Sequence, residues 1–347
     1  MIQWINRLRE ERSLPDEGYR ALLLSNDAAA MEYLRDQARE VAIATFGKGI
    51  YIRGLIEITN RCRNNCYYCG IRASNREVVR YSLSHDEILD CCREGYGLGF
   101  RTFVMQGGED PALSDEWLVG ILSSIRAEFE DVAITLSLGE RSRESYSRLF
   151  RAGANRYLLR HESCNQEHYR KLHPASMSLE NRLECLANLK QIGYQTGTGI
   201  MVGSPFQSVD HIMEDIKYIE RLEPAMIGIG PFIPHSDTPF AGCLAGDVDR
   251  TIRLISIFRL IHPEALIPST TALASLAEDG RERGILAGAN VVMPNLSPAK
   301  NRASYSLYNN KASFGSESAE GLRLLSERLD RIGYYISYDR GDAPKKG

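Results

Sequence analysis

Short apolar runs recur along the chain at 52–58, 102–105, 133–138, 156–159, 195–202, 226–232, 266–268 and 291–293. Amphipathic stretches separate them, and those at 84–97, 178–192, 208–221 and 248–262 have apolar positions spaced for one helical face. Ser84, with Glu87 three residues on, reads as a capping box that starts the first of these helices. Each is long enough to cross back over a parallel sheet. Eight strand-like runs alternating with helices are what a (β/α)8 barrel requires, although periodicity alone separates a closed barrel poorly from a doubly wound open sheet. Residues 1–48 read as helical pieces, with Ser25, Asn26 and Asp27 as cap candidates before a helix over 28–42 and Gly47 and Gly49 closing the segment. The expected organisation is a helical N-terminal cap over 1–48, a barrel over 49–310, and a C-terminal helical extension over 311–347. Its last stretch, Gly341 to Gly347, is rich in Lys and Pro and is expected to be disordered.

Composition narrows the class without naming a chemistry. The 347 residues are 43% hydrophobic and 25% charged, ordinary globular material with enough apolar content for one large α/β domain. A net charge of −3 gives no cause to expect nucleic acid or a membrane surface as partner. The opening Met1 to Trp4 lacks the basic and apolar regions of an export signal, and no stretch of about 18 apolar residues occurs, so a cytoplasmic location is expected. Eight cysteines in such a chain argue for free thiols or metal ligands rather than a disulfide framework.

Three of those cysteines are grouped. Cys62, Cys66 and Cys69 form a CxxxCxxC on the loop that leaves the first apolar run. Thiolates suit zinc or an iron–sulfur cluster, but a structural zinc needs a fourth ligand, and none stands nearby: His85 is distant, and Cys91 and Cys92 fall within a helical pattern. Three thiolates on a four-iron cluster leave one iron without a protein ligand, which makes a site for chemistry. Cys164, Cys185 and Cys243 are scattered and read as core or surface thiols.

In an α/β barrel the working residues sit at the C-terminal ends of the strands. The second run ends in Gln106-Gly107-Gly108-Glu109-Asp110, where glycines permit close backbone approach; a plain turn is the alternative. The third places Thr135 and Ser137 on one strand face, toward the lumen or simply as filling. The fourth carries Arg156, Arg160, His161 and Glu162, charges that need either a ligand or an ion pair if buried. Later ends offer the glycines around Thr198 to Pro205, an apolar wall from Met226 to His235, and the hydroxyls of Thr270, Thr271, Tyr305 and Tyr308.

With aromatic Tyr68 beside the last cysteine, the CxxxCxΦC spacing resembles the cluster motif of the radical S-adenosylmethionine (SAM) superfamily. The resemblance implies a TIM-type α/β barrel, one 4Fe–4S cluster on Cys62, Cys66 and Cys69, and SAM as second cofactor. Residues 53–70, 106–111, 135–140, 157–162, 228–235 and 267–272 are further similar to FeFe-hydrogenase maturases of the HydE type, over about 20–310 of the chain. That similarity implies that Tyr68 flanks the cluster and that Gly107, Gly108 and Glu109 meet the SAM amino group. It gives Glu162, Arg182, Met201, Met226, Tyr305 and Leu307 as further SAM contacts. Toward the substrate it implies Arg53, Thr135, Ser137, Arg156, Arg160, Thr270 and Thr271. Three arginines among these imply an anionic substrate.

The implied activity is reductive cleavage of SAM to a 5′-deoxyadenosyl radical that acts on a small anionic organometallic substrate, a cysteine-bound iron carbonyl cyanide unit. Its implied partners are other hydrogenase maturation proteins and an external electron donor. No cysteine follows Lys311, so the second cluster that some of these maturases carry near the C-terminus is not expected. An amino-acid mutase resembling methylornithine synthase is the alternative enzyme, and a non-catalytic iron–sulfur scaffold the alternative of another class. Biotin synthase fits less well, because the ligands for its second cluster are not apparent.

Overall fold

The computed structural model describes residues 1–344. The first barrel strand is in two pieces, Gly49–Ile52 and Gly54–Thr59, broken at Arg53. Thr102–Gly107, Ala133–Ser137, Arg156–Leu158, Gln195–Thr198 and Met226–Ile227 follow beside it in order, every pairing parallel. The seventh run joins through backbone bonds from Ile227 to Leu266 (3.1 Å) and from Leu266 to Ala225 (2.9 Å). The eighth, Val291–Val292, bonds to it through Ser269 N and Val291 O (2.9 Å) and to the first strand through Arg53 N and Val292 O (2.9 Å). The eight strand positions therefore close into a barrel. The chain has the expected α/β architecture, and the eight apolar runs are its eight strand positions.

Helix starts follow the side chains that cap them. Ser84 and Glu87 form the reciprocal box at His85–Gly97, Ser178 caps Leu179–Ile192, and Ser208 caps Val209–Leu222. Asp27 rather than Ser25 caps the long N-terminal helix Ala28–Phe46. That helix and Ile2–Glu11 pack on the outside of the helix Val248–Ile261, while Asp16–Leu24 packs against Val209–Leu222. Ile5, Leu8, Leu34, Leu254, Ile255 and Phe258 share one core, which is why residues 254–261 of the covered helix are buried without a break.

The C-terminal part folds back on the barrel. The helix Leu322–Arg331 buries Leu325 and Leu329 in the same core as Ile50, Ile52 and Phe103, so it completes the helical ring beyond the expected barrel limit of 310. The strand Tyr335–Ser337 then pairs in parallel with Gly49–Ile52. Gly341 and Asp342, expected to be disordered, are instead held at the N-terminal end of the barrel by Arg156. Residues 345–347 lie outside the described part. Among the described residues no helix is long and apolar enough to cross a membrane.

Candidate active site

The cysteine loop springs from the C-terminal end of the first strand and is fixed at both ends by one buried side chain. Asn60, 0% exposed, donates to the carbonyls of Val79 (2.8 Å) and Ser304 (2.7 Å) and accepts from Tyr81 N (2.8 Å). Arg80 donates to the carbonyls of Ile71, Arg72 and Asn75 at 2.6 to 3.0 Å, so a single guanidinium gathers the return limb of the loop. Glycine is required in two places. A Cβ on Gly108 would stand 2.3 Å from Arg61 O and 2.6 Å from the Cys62 Cβ, and one on Gly70 would stand 2.2 Å from Ser306 O. The loops after the first, second and eighth strands are thus pressed together around the cysteines.

All three thiols are free and partly buried. Burial, reinforced by the neighbouring Cys62, pushes the Cys69 thiol up to about 12, and burial with Cys69 close by pushes Cys66 higher still. Desolvation holds the thiols in their protonated form, so the loop favours three thiolates only around a positively charged centre. The donor set fits an iron–sulfur cluster with three cysteine ligands. Tyr68 lies beside it with its hydroxyl 3.1 Å from His173 Nε2, and its ring is edge-on to that imidazole. Burial pushes His173 down to about 3, so it stays neutral and can bond Tyr68 without adding charge.

Most of the residues expected around SAM surround the same mouth; Met226 does not, packing with Leu266 and Val291 lower in the barrel. Gly107 ends the second strand, and Gly108 N donates to Thr59 O (3.2 Å). The Glu109 carboxylate is paired with Arg63 (3.0 Å) and accepts from Glu140 N (2.9 Å). Glu162 is nearly buried, in a left-handed conformation (φ 64°), and accepts from Arg160 at 2.9 Å. A non-glycine residue in that region is a strained placement that surrounding contacts must hold. Arg182 joins Glu140 (2.5 Å) to the Arg160 carbonyl (2.7 Å). Met201 packs with Leu172, Phe232 and Phe240 against Tyr67 and Tyr68, the Tyr305 hydroxyl accepts from Gln106 (3.2 Å), and the Leu307 carbonyl accepts from Gly70 N (2.9 Å).

Deeper, the arginines expected to face substrate divide. Arg156 donates to Asp342 (2.7 Å), to the Gly341 carbonyl (3.0 Å) and to Thr102 Oγ1 (3.2 Å), so the chain's own tail compensates it at the N-terminal end. Arg160 has Glu162. The fourth strand spans only Arg156–Leu158, so Arg160 lies beyond it and strand alternation does not put the two on one face. Glu57, which could have satisfied Arg53, is instead paired with Lys311 and accepts from Asn295 (3.0 Å). Arg53 therefore stands alone. It is 4% exposed, its Nη1 meets only the Met226 sulfur (3.2 Å), and Nε and Nη2 have no partner. Burial and the like charge of Arg156 push its guanidinium well below its usual value. Thr135 Oγ1 and Thr270 Oγ1 are likewise buried and unpartnered, while Ser137 and Thr271 are partly exposed. The three-arginine argument thus narrows to Arg53 with two hydroxyls.

Asn60, Arg80, His173, Lys311 and Asp342 were not singled out from the sequence. Arg80 follows the cysteines by 11 residues in a loop without periodicity, and Lys311 and Asp342 reach their partners across more than 180 residues. Only folding brings those pairs together.

The radical SAM superfamily profile matches residues 56–219. Over 332 residues, 96% of this chain and 94% of the relative, the sequence is 42% identical to the [FeFe] hydrogenase maturase subunit HydE of Thermotoga maritima. It is 28% identical to the 3-methylornithine synthase of Methanosarcina acetivorans over 82% of this chain and 81% of that one. The crystal structure of a methylornithine synthase (PylB) superposes with a TM-score of 0.82 at 25% identity, covering 96% of this chain and 97% of the other. The family's cofactors are a 4Fe–4S cluster and SAM, in keeping with three cysteines on a loop at a barrel mouth. The chain belongs to the radical SAM superfamily, as an enzyme of the hydrogenase-maturase type.

Proposed function

We propose that this enzyme matures an FeFe hydrogenase by acting on a small anionic organometallic substrate, a cysteine-bound iron carbonyl cyanide unit, on the way to the dithiolate-bridged diiron site. The observation that carries the reading is Arg53, a buried guanidinium with two unpartnered nitrogens deep in the lumen. An uncompensated buried cation is strongly disfavoured, so an anion that enters the barrel gains what the protein withholds. Thr135 and Thr270 add two hydroxyls that can orient it.

In this reading Cys62, Cys66 and Cys69 hold one 4Fe–4S cluster and Tyr68 flanks it. When bound, the reduced cluster supplies the electron that cleaves SAM to methionine and a 5′-deoxyadenosyl radical. The chain's own groups bind and shield. Gly107 and Gly108 offer backbone close to the cysteine loop, while Glu109, Glu162 and Arg182 place charge at the mouth. Met201, Tyr305 and Leu307, with Met226 lower in the barrel, form walls that exclude water from a reactive centre. Arg160, Ser137 and Thr271 are the remaining substrate-side residues of this reading. Arg156, tied to Asp342, supports the closed end rather than meeting substrate. An external electron donor and other maturation proteins are the partners this chemistry needs, and the cytoplasm is its expected location.

An amino-acid mutase is the second reading, favoured by the likeness to methylornithine synthase. A lysine substrate would want a carboxylate for its side-chain amine, and the buried Glu57 is already committed to Lys311. Anaerobic measurement of 5′-deoxyadenosine with each candidate substrate tests the proposal. Stimulation by a cysteine-bound iron carbonyl cyanide complex supports the maturase, stimulation by lysine alone supports the mutase, and no SAM cleavage under any condition returns the scaffold.

A further inference from the structure

The turn that carries Glu162 has a second polar cluster on its other side. His161 and Asp215 are 0% exposed, Cys164 is partly buried, and one ligand atom from each lies within 4.8 Å of the other two. His161 and Cys164 come from the turn after the fourth strand, and Asp215 from the helix Val209–Leu222 that packs behind it. His161 Nε2 is 3.4 Å from Asp215 Oδ1, which also accepts from Cys164 N at 2.6 Å. His161 Nε2 and Asp215 Oδ2 both lack a hydrogen-bond partner. His161 Nδ1 meets Thr198 Oγ1 at 2.7 Å.

We propose that His161, Cys164 and Asp215 bind a zinc ion, at a site separate from the cysteine loop. The mixed nitrogen, sulfur and oxygen donor set matches zinc, the His161–Asp215 separation is of the size found between neighbouring ligands of one tetrahedral ion, and Cys164 Sγ within 4.8 Å of both needs only a small inward turn of its side chain. Thr198 supplies the outer contact that such a histidine needs: in the tautomer with Nδ1–H donated to its hydroxyl, the Nε2 lone pair is free for a metal, with Asp215 Oδ1 3.4 Å away. Charge balances too. One thiolate, one carboxylate and a neutral imidazole offset the two charges of the ion, so nothing in the buried site is left uncompensated. Binding converts the Cys164 thiol to a thiolate with release of one proton to solvent, and no electron is transferred. The fourth position is left for water, with entry on the partly exposed Cys164 side. An ion there would tie the strained turn at residue 162 to the helix behind it.

The competing reading is a plain buried histidine–aspartate pair, which needs no cysteine. The test uses the full-length, anaerobically reconstituted enzyme, loaded with zinc, desalted over a weak chelator, and analysed for zinc and iron. About one zinc per chain is expected beside the cluster iron. C164S and D215N should each lose zinc with iron unchanged, and T198V should weaken zinc binding about 10- to 100-fold. Cobalt in place of zinc should give a thiolate charge-transfer band that C164S abolishes. The triple variant C62S/C66S/C69S should lose iron and keep zinc. Wild type that retains no zinc overturns the proposal. So does zinc retained by C164S and lost from the triple variant, which would assign it to the cysteine loop. If D215N does not fold, C164S alone decides, because its isosteric change lies on a partly exposed turn.

Discussion

Arg53 and Arg156 are both buried arginines of the barrel, 4% and 0% exposed, yet their surroundings differ in kind. Arg156 has a carboxylate, two backbone carbonyls and a hydroxyl, all from the protein itself. Arg53 has a thioether sulfur and two nitrogens with nothing to bond. The difference supports the proposed division by a physical criterion: a buried cation that the fold neutralises can serve the fold, and one that the fold leaves bare is the better candidate for a ligand. Proximity alone would have put both in the substrate site.

The largest expected effect lies outside the pair and sets the frame for it. Cys62→Ser, Cys66→Ser or Cys69→Ser should each abolish the oxygen-sensitive brown chromophore and reduce cluster iron from about four per chain to near zero. Iron near eight per wild-type chain would contradict a single cluster. Second, substitution of each arginine by methionine should affect stability differently. Arg53→Met removes an uncompensated charge and should leave stability unchanged or raise it by about 1–4 kcal/mol. Arg156→Met deletes paired bonds and should lower it by about 1–3 kcal/mol, the Asp342 part being small because that carboxylate is 39% exposed. Denaturant unfolding of both variants checks this, and equal losses would erase the distinction.

Third, Glu162→Gln should weaken SAM binding and cleavage roughly tenfold, the scale of one lost charge-assisted bond, with cluster iron intact. SAM affinity equal to wild type would remove Glu162 from the site. The smallest effect is a pH dependence of the tail. Burial alone would raise the Asp342 carboxyl, but the hydrogen bond and charge of Arg156 outweigh it and the pKa is lowered. Its folded value lies below its unfolded one, so this stabilisation is present above the ordinary carboxylate range, near pH 4, and fades as pH falls through the lowered pKa. Asp342→Asn should flatten that part of the acid unfolding profile, and an unchanged profile would mean that the tail contact contributes nothing.

The barrel was legible because the strand runs are largely apolar and every helix from His85 to Ile261 starts on a capping side chain, signals that lie within a few residues of one another. The cysteine loop was legible for the same reason. Arg156 was misread because its partner, Asp342, is 186 residues away in a tail whose Lys and Pro content resembles disorder. The partner of Glu57 was not legible, because strand alternation places Glu57 relative to Arg53 but says nothing of Lys311 in a distant loop. Cys164 looked like a scattered thiol until a helix brought Asp215 beside it. Local periodicity reports which face a residue is on, whereas the compensation of its charge is settled by distant chain.

The most direct test of the central claim compares Arg53→Lys with wild type in one anaerobic preparation, measuring 5′-deoxyadenosine release and hydrogenase activation together. Lysine keeps the charge but not the planar fork. The account predicts intact cluster and SAM cleavage with hydrogenase activation lost; activation equal to wild type would contradict it.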